Sequence, residues 1–219
     1  MSILFSEKTK TFHLYNQKIS YIMTVLPNGH MGQLYFGKRI HHKEDFSCLL
    51  ERQRRPMTAC VFDDDSSFSL EHTRQEYGVY GTTDFRHPAV EILQEDGSRL
   101  SDFVYAGHEV TAGKPKLPGL PATYTEAQEE AETLVVRLKD AQTQMALELF
   151  YTIFAEGGIL TRSVRFTNEG KKNVQLTRAM SLCLDLPDCG YEWMQFSGAW
   201  ARERHLKVRK LEQGIQAVD

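Results

Sequence analysis

Residues 133–154 read TLVVRLKDAQTQMALELFYTIF, and this stretch carries the pattern that decides the fold. Two runs rich in β-branched, aliphatic and aromatic residues, 133–140 and 145–154, flank a short polar segment. Runs of this composition bounded by polar residues are typical of β-strands. The stretch therefore predicts two strands that pair with each other across the polar segment.

Similar runs recur along the chain. In TRSVRFTN (161–168), Ser163 and Arg165 face one way while the apolar residues Val164 and Phe166 face the other, which is the period of a strand. The other predicted strands are KISYIMTVL, GQLYFG, AVEILQ and VQLTRAMSLCLDL. Many short strands with scarce helical signals predict an all-β chain, built as a large antiparallel sandwich.

The connections between these runs divide into short turns and long loops. EDGS (95–98) is a hairpin-type turn, because Asp-Gly supplies positive φ. TEAQEEAETL (125–134) has helix formers but no apolar stripe, and predicts a loop with at most one helical turn before a strand. Two longer stretches, 41–67 and 107–125, escape the strand pattern and are predicted to be loops of the kind that carry function or contacts.

The overall charge and hydropathy exclude several classes of partner. The formal net charge is −3, and a mildly acidic chain gives no reason to expect nucleic acid or an anionic membrane. No apolar run approaches the roughly 20 residues that span a bilayer, and the N-terminal residues lack a signal-peptide core. We therefore expect a cytoplasmic protein with no nucleic-acid partner and no membrane partner.

The cysteines and histidines predict neither a disulfide framework nor a metal centre. The four cysteines are Cys48, Cys60, Cys183 and Cys189. They form no CxxC pair, and their spacings do not match common zinc sites. His41 and His42 are adjacent, but no second ligand pair follows downstream, so a solvated charged loop is the favoured interpretation. No metal and no cofactor is expected.

Catalytic motifs are also missing from the sequence. It has no GxSxG, P-loop, HExxH or strand–helix GxGxxG. Glycoside hydrolysis needs paired carboxylates, but turn chemistry around Pro187 is sufficient to explain Asp185 and Asp188. The segment QEYGVYGTTDFRHPA (75–89), which includes Asp84, is favoured as a loop whose aromatics pack beneath it and whose charges pair; a sugar site built from the same parts is the alternative.

Five segments stand out in chain order: QEYGVYGTTDFRHPA, KLPGLPATY, EAETL, LTRSVRFTNEG and FSGAWARER. Together they resemble the N-terminal domain of bacterial α-galactosidases of glycoside hydrolase family 36, and the resemblance runs from about residue 5 to the end of the chain. It implies that residues 1–219 form one N-terminal β-supersandwich domain. In such enzymes a catalytic (β/α)₈ barrel and a C-terminal β-sandwich follow.

The resemblance also implies an activity for the parent enzyme. Such enzymes hydrolyse terminal α-linked galactose from melibiose, raffinose and related oligosaccharides by the retaining mechanism. Both catalytic aspartates lie in the barrel, so this chain is expected to contain no catalytic residue and to be inactive alone. The expected partners are a galactoside oligosaccharide, the catalytic barrel of the same polypeptide and further copies of the enzyme in a homotetramer.

Two substrate-binding residues follow from the resemblance. Trp200, in SGAWARERH, matches a tryptophan that lines the galactose pocket; from the residues alone it would be interpreted as a core tryptophan. Glu51, in LLERQRRP, matches an acidic position, often Asp, that reaches substrate bound in a neighbouring subunit. Because Glu is one methylene longer, the same hydrogen bond needs a shifted backbone or serves a different subsite. Glu51 as the ionic partner of an arginine in RQRR is the alternative.

The surroundings of Trp200 leave two other functions open. Small Gly198 and Ala199 would let another surface approach the ring, and the charges of RER (202–204) suit a wet rim or a domain contact. A free-standing carbohydrate-binding sandwich would need a complete sugar platform, but Trp193 and Trp200 are seven residues apart and would face opposite sides of one strand unless a turn intervenes. A purely structural oligomerisation domain is the third interpretation.

Overall fold

The computed structural model describes residues 1–54, 65–81, 84–119 and 121–218. Within these ranges the regular structure consists of twelve β-strands and two single-turn 3₁₀ helices. The strands are β1 (Ser2–Ser6), β2 (Thr11–Tyr15), β3 (Ile19–Val25), β4 (Met31–Lys38), β5 (Val90–Gln94), β6 (Val104–Ala112), β7 (Ala131–Asp140), β8 (Met145–Phe154), β9 (Leu160–Asn168), β10 (Val174–Ala179), β11 (Glu192–Ala199) and β12 (Arg202–Lys210). The 3₁₀ helices are η1 (Ser47–Leu49) and η2 (Gln128–Glu130). Among the described residues, no helix is long and apolar enough to cross a membrane.

All strand pairings are antiparallel, which confirms the predicted fold class. The chain divides into two compact units, Met1–Asp185 and Leu186–Asp219. The first unit contains two four-stranded sheets, ordered β1-β2-β3-β4 and β6-β7-β8-β9, and the pair β10-β5. The second unit contains the hairpin β11-β12. Whether residues 1–219 form a single domain stays a prediction.

The first unit has its main core between its two large sheets. Phe12, Leu14 and Tyr21 of the first sheet belong to the same buried cluster as Leu147 and Tyr151 of the second. Their faces meet because each strand presents alternate residues inward. Burial of apolar area, at about 25 cal/mol per Å², therefore holds the two sheets together as the layers of a sandwich.

Residues 133–154 form the predicted hairpin. Strand β7 pairs with β8 from Ala131↔Phe154 to Asp140↔Met145. In the turn, the Asp140 carboxylate accepts hydrogen bonds from the backbone N–H groups of Gln142 (2.9 Å) and Thr143 (3.2 Å). The polar segment therefore closes the hairpin through a side chain as well as through the strand ladder.

Most other strand predictions are confirmed, with boundary changes. Strands β3, β4, β5 and β9 lie where their sequence patterns indicated, and η2 followed by β7 matches the loop with one helical turn. Strand β10 is shorter than its pattern, because it ends at Ala179. Strands β1 and β2 were not predicted.

Of two predictions about connections, one is confirmed and one is wrong. The turn at 95–98 forms, with Gly97 at φ 83°, although the strand before it, β5, pairs with the distant β10. The predicted loop 107–125 begins only after β6, at Gly113. A register shift between Tyr105 and Gly107 interrupts the side-chain alternation of β6. The sequence of β6 therefore lacks the regular alternation of apolar and polar residues by which strands are predicted.

A buried ion pair joins the two sheets. The Glu76 carboxylate is fully buried and lies 3.0 Å from Arg162 Nη1 of β9. It accepts hydrogen bonds from the hydroxyls of Tyr21 (2.6 Å) and Tyr151 (2.7 Å). Burial raises the pKa of both tyrosines well above the usual value, so both hydroxyls stay protonated and donate. Glu76 therefore binds one residue of the first sheet and two of the second.

A second polar contact holds the start of the long loop onto the first sheet. His13, which is buried on β2, lies with its Nδ1 3.1 Å from Nδ1 of His42 and its Nε2 3.0 Å from Ser20 Oγ. Phe46 is buried a few residues further on, against Ile22 and Leu34. The loop is therefore attached to the sheet by a histidine pair and an aromatic anchor.

Removing the Glu76 charge should be costly. In Glu76→Gln the Arg162 guanidinium stays buried without a counter-ion, so we expect the free energy of unfolding to fall by about 3–5 kcal/mol, measured by urea denaturation. Lys139→Met, which breaks the exposed Lys139–Glu169 pair, is the control and should cost at most about 1 kcal/mol. A loss below about 1 kcal/mol for Glu76→Gln would contradict a buried ion pair.

The stability should also fall in acid because of His13. Burial, then His42 and Arg39, lowers the pKa of His13 from 6.5 to about 4. Between these pH values His13 binds a proton in the unfolded chain but not in the folded chain. The free energy of unfolding therefore decreases as pH falls from 6.5 to about 4. His13→Gln should flatten this part of the stability–pH curve. Identical slopes for the two proteins would show that His13 does not stay neutral in the fold.

Candidate functional site

Glu51 lies on the surface of the first unit, two residues after η1. The Asp45 carboxylate accepts a hydrogen bond from Ser47 N–H at 2.7 Å and opens the turn. Leu49 and Leu50 donate their N–H groups back to Phe46 and Ser47. The Glu51 side chain is exposed.

The residues after Glu51 are fixed by a second segment of the loop. Arg52 Nη1 donates to Asp65 Oδ2 at 3.0 Å, and Gln53 N–H donates to the Ser67 carbonyl at 3.2 Å. Hydrogen bonds from Ser67 lower the pKa of Asp65 and keep it ionised for this contact. Arg52 is therefore bound to Asp65. Pairing of Glu51 with an arginine stays an alternative, and Arg55 lies outside the described residues.

Trp200 occupies the tip of the hairpin in the second unit. Strand β11 ends at Ala199, which pairs with Arg202, so Trp200 and Ala201 form the connection. The Trp200 side chain is 95% exposed. The interpretation of Trp200 as a core tryptophan is therefore wrong. Because Trp200 is in a turn, the odd spacing from Trp193 says nothing about their relative orientation.

Gly198 has a structural role within the hairpin, and the approach of another surface to the Trp200 ring stays a prediction. A Cβ at this position would lie 2.8 Å from the Arg202 carbonyl oxygen and 2.9 Å from the Glu203 Cα. Glycine is therefore required by the hairpin's own backbone, which shifts register between Ser197 and Ala199. The charged residues 202–204 are exposed, as expected for a wet rim.

The hairpin leaves apolar side chains uncovered in the second unit. Met194 pairs with Val208, and Phe196 pairs with Leu206, so these four side chains share one face. All four are exposed. On the other face, Trp193 is half-buried under the Arg209 guanidinium, 5.0 Å from the ring centre. The uncovered face is suited to packing against further protein.

The segment 75–89 has a structural role. Arg86 Nε lies 2.9 Å from Asp84 Oδ1, and its Nη1 lies 3.0 Å from Asp185 Oδ2. Asp185 also accepts a hydrogen bond from Gln75 N–H at 3.1 Å, so its assignment to simple turn chemistry is wrong. Asp188 does act as a turn residue, accepting from Gly190 N–H. The charges are paired, as the favoured interpretation predicted.

The aromatic residues of this segment are divided between core and surface. Tyr77 is buried and donates its hydroxyl to the Met180 carbonyl at 2.6 Å. Phe85, in contrast, is 79% exposed and does not pack beneath the loop. The two carboxylates of the segment, Glu76 and Asp84, are bound to Arg162 and Arg86 respectively, so they do not form an uncommitted pair for a sugar.

The sequence predicted that the histidines and cysteines form no metal centre and that His41 and His42 lie in a solvated loop. His42 contacts His13 and stacks on it, so it is not simply part of a solvated loop. Across the residues that the structure describes, no group of three or more histidine, cysteine, aspartate or glutamate side chains could hold a metal ion. Cys48, Cys183 and Cys189 are free thiols, and Cys60 lies outside the described residues.

The two candidate residues provide binding chemistry only. A carboxylate such as that of Glu51 can accept hydrogen bonds from hydroxyl groups, and the indole of Trp200 offers an apolar ring. Retaining hydrolysis needs two carboxyl groups about 5 Å apart, which these residues do not supply. Glu51 lies in the first unit and Trp200 in the second.

Sequence reasoning missed three charged residues of the first unit. They are Glu76, Arg162 and Arg74. Arg162 could have been found, because it falls in the inward register of β9 with Val164 and Phe166, where a charge requires a partner. Nothing in the local sequence marks Glu76 or Arg74.

Comparisons with known proteins agree with this architecture. Residues 29–219 match the model of the glycosyl hydrolase family 36 N-terminal domain. The alpha-galactosidase AgaA of Geobacillus stearothermophilus is 39% identical over 219 residues, which is 100% of this chain and 30% of the relative. Alpha-galactosidase 1 of Pediococcus pentosaceus is 35% identical over 98% of this chain and 29% of its own length.

Solved structures show the same relation. The crystal structure of the alpha-galactosidase from Lactobacillus brevis superposes with a TM-score of 0.93 at 38% identity, over 98% of this chain and 29% of that one. A variant of AgaA in complex with raffinose gives a TM-score of 0.88 at 40% identity, over 94% and 29%. The chain thus spans less than a third of the length of these relatives, and it belongs to the glycosyl hydrolase family 36 N-terminal domains.

Proposed function

We propose that this chain is the non-catalytic N-terminal domain of a longer bacterial α-galactosidase. The parent enzyme hydrolyses terminal α-linked galactose from raffinose-type oligosaccharides by the retaining mechanism. The observation that carries the proposal is the match over 100% of this chain at 39% identity to an alpha-galactosidase. Relatives crystallised with raffinose and stachyose support the substrate class.

The domain contributes to assembly and to part of the substrate pocket. The exposed apolar face formed by Met194, Phe196, Leu206 and Val208 supports packing against the catalytic barrel or another subunit. A homotetramer is proposed for the full-length enzyme from the family resemblance. The cytoplasmic location expected from the sequence stays a prediction.

In the proposed enzyme, Trp200 lines the galactose pocket and Glu51 reaches substrate bound in a neighbouring subunit, and both act on binding rather than on bond cleavage. The Trp200 ring packs on the apolar C–H face of a sugar, and Glu51 accepts a hydrogen bond from a hydroxyl. Contacts of this kind are made equally to substrate and transition state, so their loss raises KM more than it lowers kcat. Bond cleavage is left to the carboxyl pair of the barrel.

The purified 219-residue chain should show no turnover of a nitrophenyl α-galactoside, because it lacks the catalytic carboxyl pair. The assay is release of nitrophenol, with the full-length polypeptide as the positive control. Calorimetry on the same sample should show very weak binding of raffinose. Robust turnover would sink the proposal, and tight raffinose binding would favour a free-standing carbohydrate-binding module.

Trp200→Ala in the full-length polypeptide should raise KM for raffinose by about 5- to 150-fold, the effect of losing about 1–3 kcal/mol of apolar contact. Trp200→Phe should retain part of the affinity. Trp193→Phe is the matched control on the same hairpin and should leave KM unchanged. Unchanged KM and kcat in Trp200→Ala, with the assembly intact by light scattering, would favour a purely structural oligomerisation domain.

A further inference from the structure

We propose that Arg74 is a positioning residue that fixes the direction of Glu51, and through it the affinity for the galactoside. This inference rests on the proposed substrate role of Glu51. Arg74 Nη2 donates to the carbonyl oxygens of Leu34 on β4 (3.1 Å) and Leu49 at the end of η1 (3.3 Å). One guanidinium therefore connects the sheet to the turn that precedes Glu51.

Arg74 is itself held on a rigid base. Its carbonyl accepts a hydrogen bond from Gln33 N–H of β4 at 3.0 Å. The next residue, Gln75, forms a β-bridge with Gly32. The Arg74 backbone is thus attached to the edge of the first sheet, and only its side chain extends toward the loop. A side chain anchored in this way can fix a loop without large losses of its own backbone freedom.

The two carbonyls that Arg74 binds need an outside donor. The register of β3 and β4 shifts between Ile22 and Met23, so Leu34 has no direct partner on β3. Leu49 is the last residue of η1, and terminal carbonyls of a helical turn have no partner within it. A charged donor makes stronger hydrogen bonds to carbonyls than a neutral one. Arg74 satisfies both groups at once.

Glu51 is held from both sides at a distance of two residues. Upstream, the Leu49 carbonyl is bound by Arg74, and the Leu50 side chain packs against the clusters of Phe46 and Phe68. Downstream, Gln53 N–H binds the Ser67 carbonyl. Loss of Arg74 releases the upstream hydrogen bond while the downstream contact remains. The expected consequence is a misdirected Glu51 on a loop that still folds.

The test is steady-state kinetics on raffinose with the full-length polypeptide. Arg74→Ala should raise KM by about three- to tenfold and leave kcat within about twofold, as for loss of uniform binding. Arg74→Lys should restore most of the affinity, because its ammonium still donates to both carbonyls. Arg165→Ala is the control: Arg165 is an exposed arginine that pairs with Glu148 on β8, and its loss should leave KM unchanged.

A double variant separates positioning from general destabilisation. If Arg74 acts through Glu51, then Arg74→Ala combined with Glu51→Gln should raise KM no further than Glu51→Gln alone. Independent, multiplying effects on KM would overturn the proposal. If Arg74→Ala does not fold, Arg74→Gln, which removes the charge and keeps a polar side chain, takes its place in the same cycle.

The outcomes also separate this inference from the proposed function. A raised KM in Glu51→Gln together with an unchanged KM in folded Arg74→Ala would overturn the role of Arg74 alone. Unchanged kinetics in Glu51→Gln, with Trp200→Ala still impaired, would remove Glu51 from the pocket and this inference with it. The α-galactosidase proposal would still rest on the match over the whole chain, with Trp200 as its remaining substrate-binding residue.

Discussion

The buried carboxylate of Glu76 is the contact on which the first unit depends. It comes from an irregular segment, yet it binds Tyr21 of one sheet and both Tyr151 and Arg162 of the other. Apolar contacts hold the same sheets together but tolerate small displacements. A buried ion pair tolerates few, because any misalignment leaves a charge without a partner. Glu76 therefore specifies one relative placement of the two layers.

The segment that carries Glu76 connects the core to the surface features of the first unit. Two residues before Glu76, Arg74 reaches the loop of Glu51. Ten residues after it, Arg86 binds Asp185 at the end of the unit and the carbonyls of Leu70 and Thr73. A segment without regular structure is thus anchored at its centre by a buried charge. Its arginines, Arg74 and Arg86, hold the flanking segments through hydrogen bonds.

Local pattern predicted the strands whose alternation is regular, such as the β7–β8 hairpin and β9. It failed at β6, where the irregular register at Gly107 breaks the period, and at the partner of β5, since pairing with the distant β10 leaves no local trace. Glu76 and Arg74 were not predictable for the same reason: their partners are more than 20 residues away in the chain. Glu51 and Trp200 came from family resemblance alone, because no local rule distinguishes a pocket residue from an exposed one.

The exposure of Trp200 bears on whether this residue stabilises its own hairpin. A tryptophan that is 95% exposed buries almost no apolar area and so adds little to the stability of its own hairpin. Gly198 on the same hairpin has no room for a side chain, whereas no residue that the structure describes in the second unit covers the Trp200 ring. The proposed contact with the apolar face of a galactose ring would supply the packing that the hairpin itself does not give this indole.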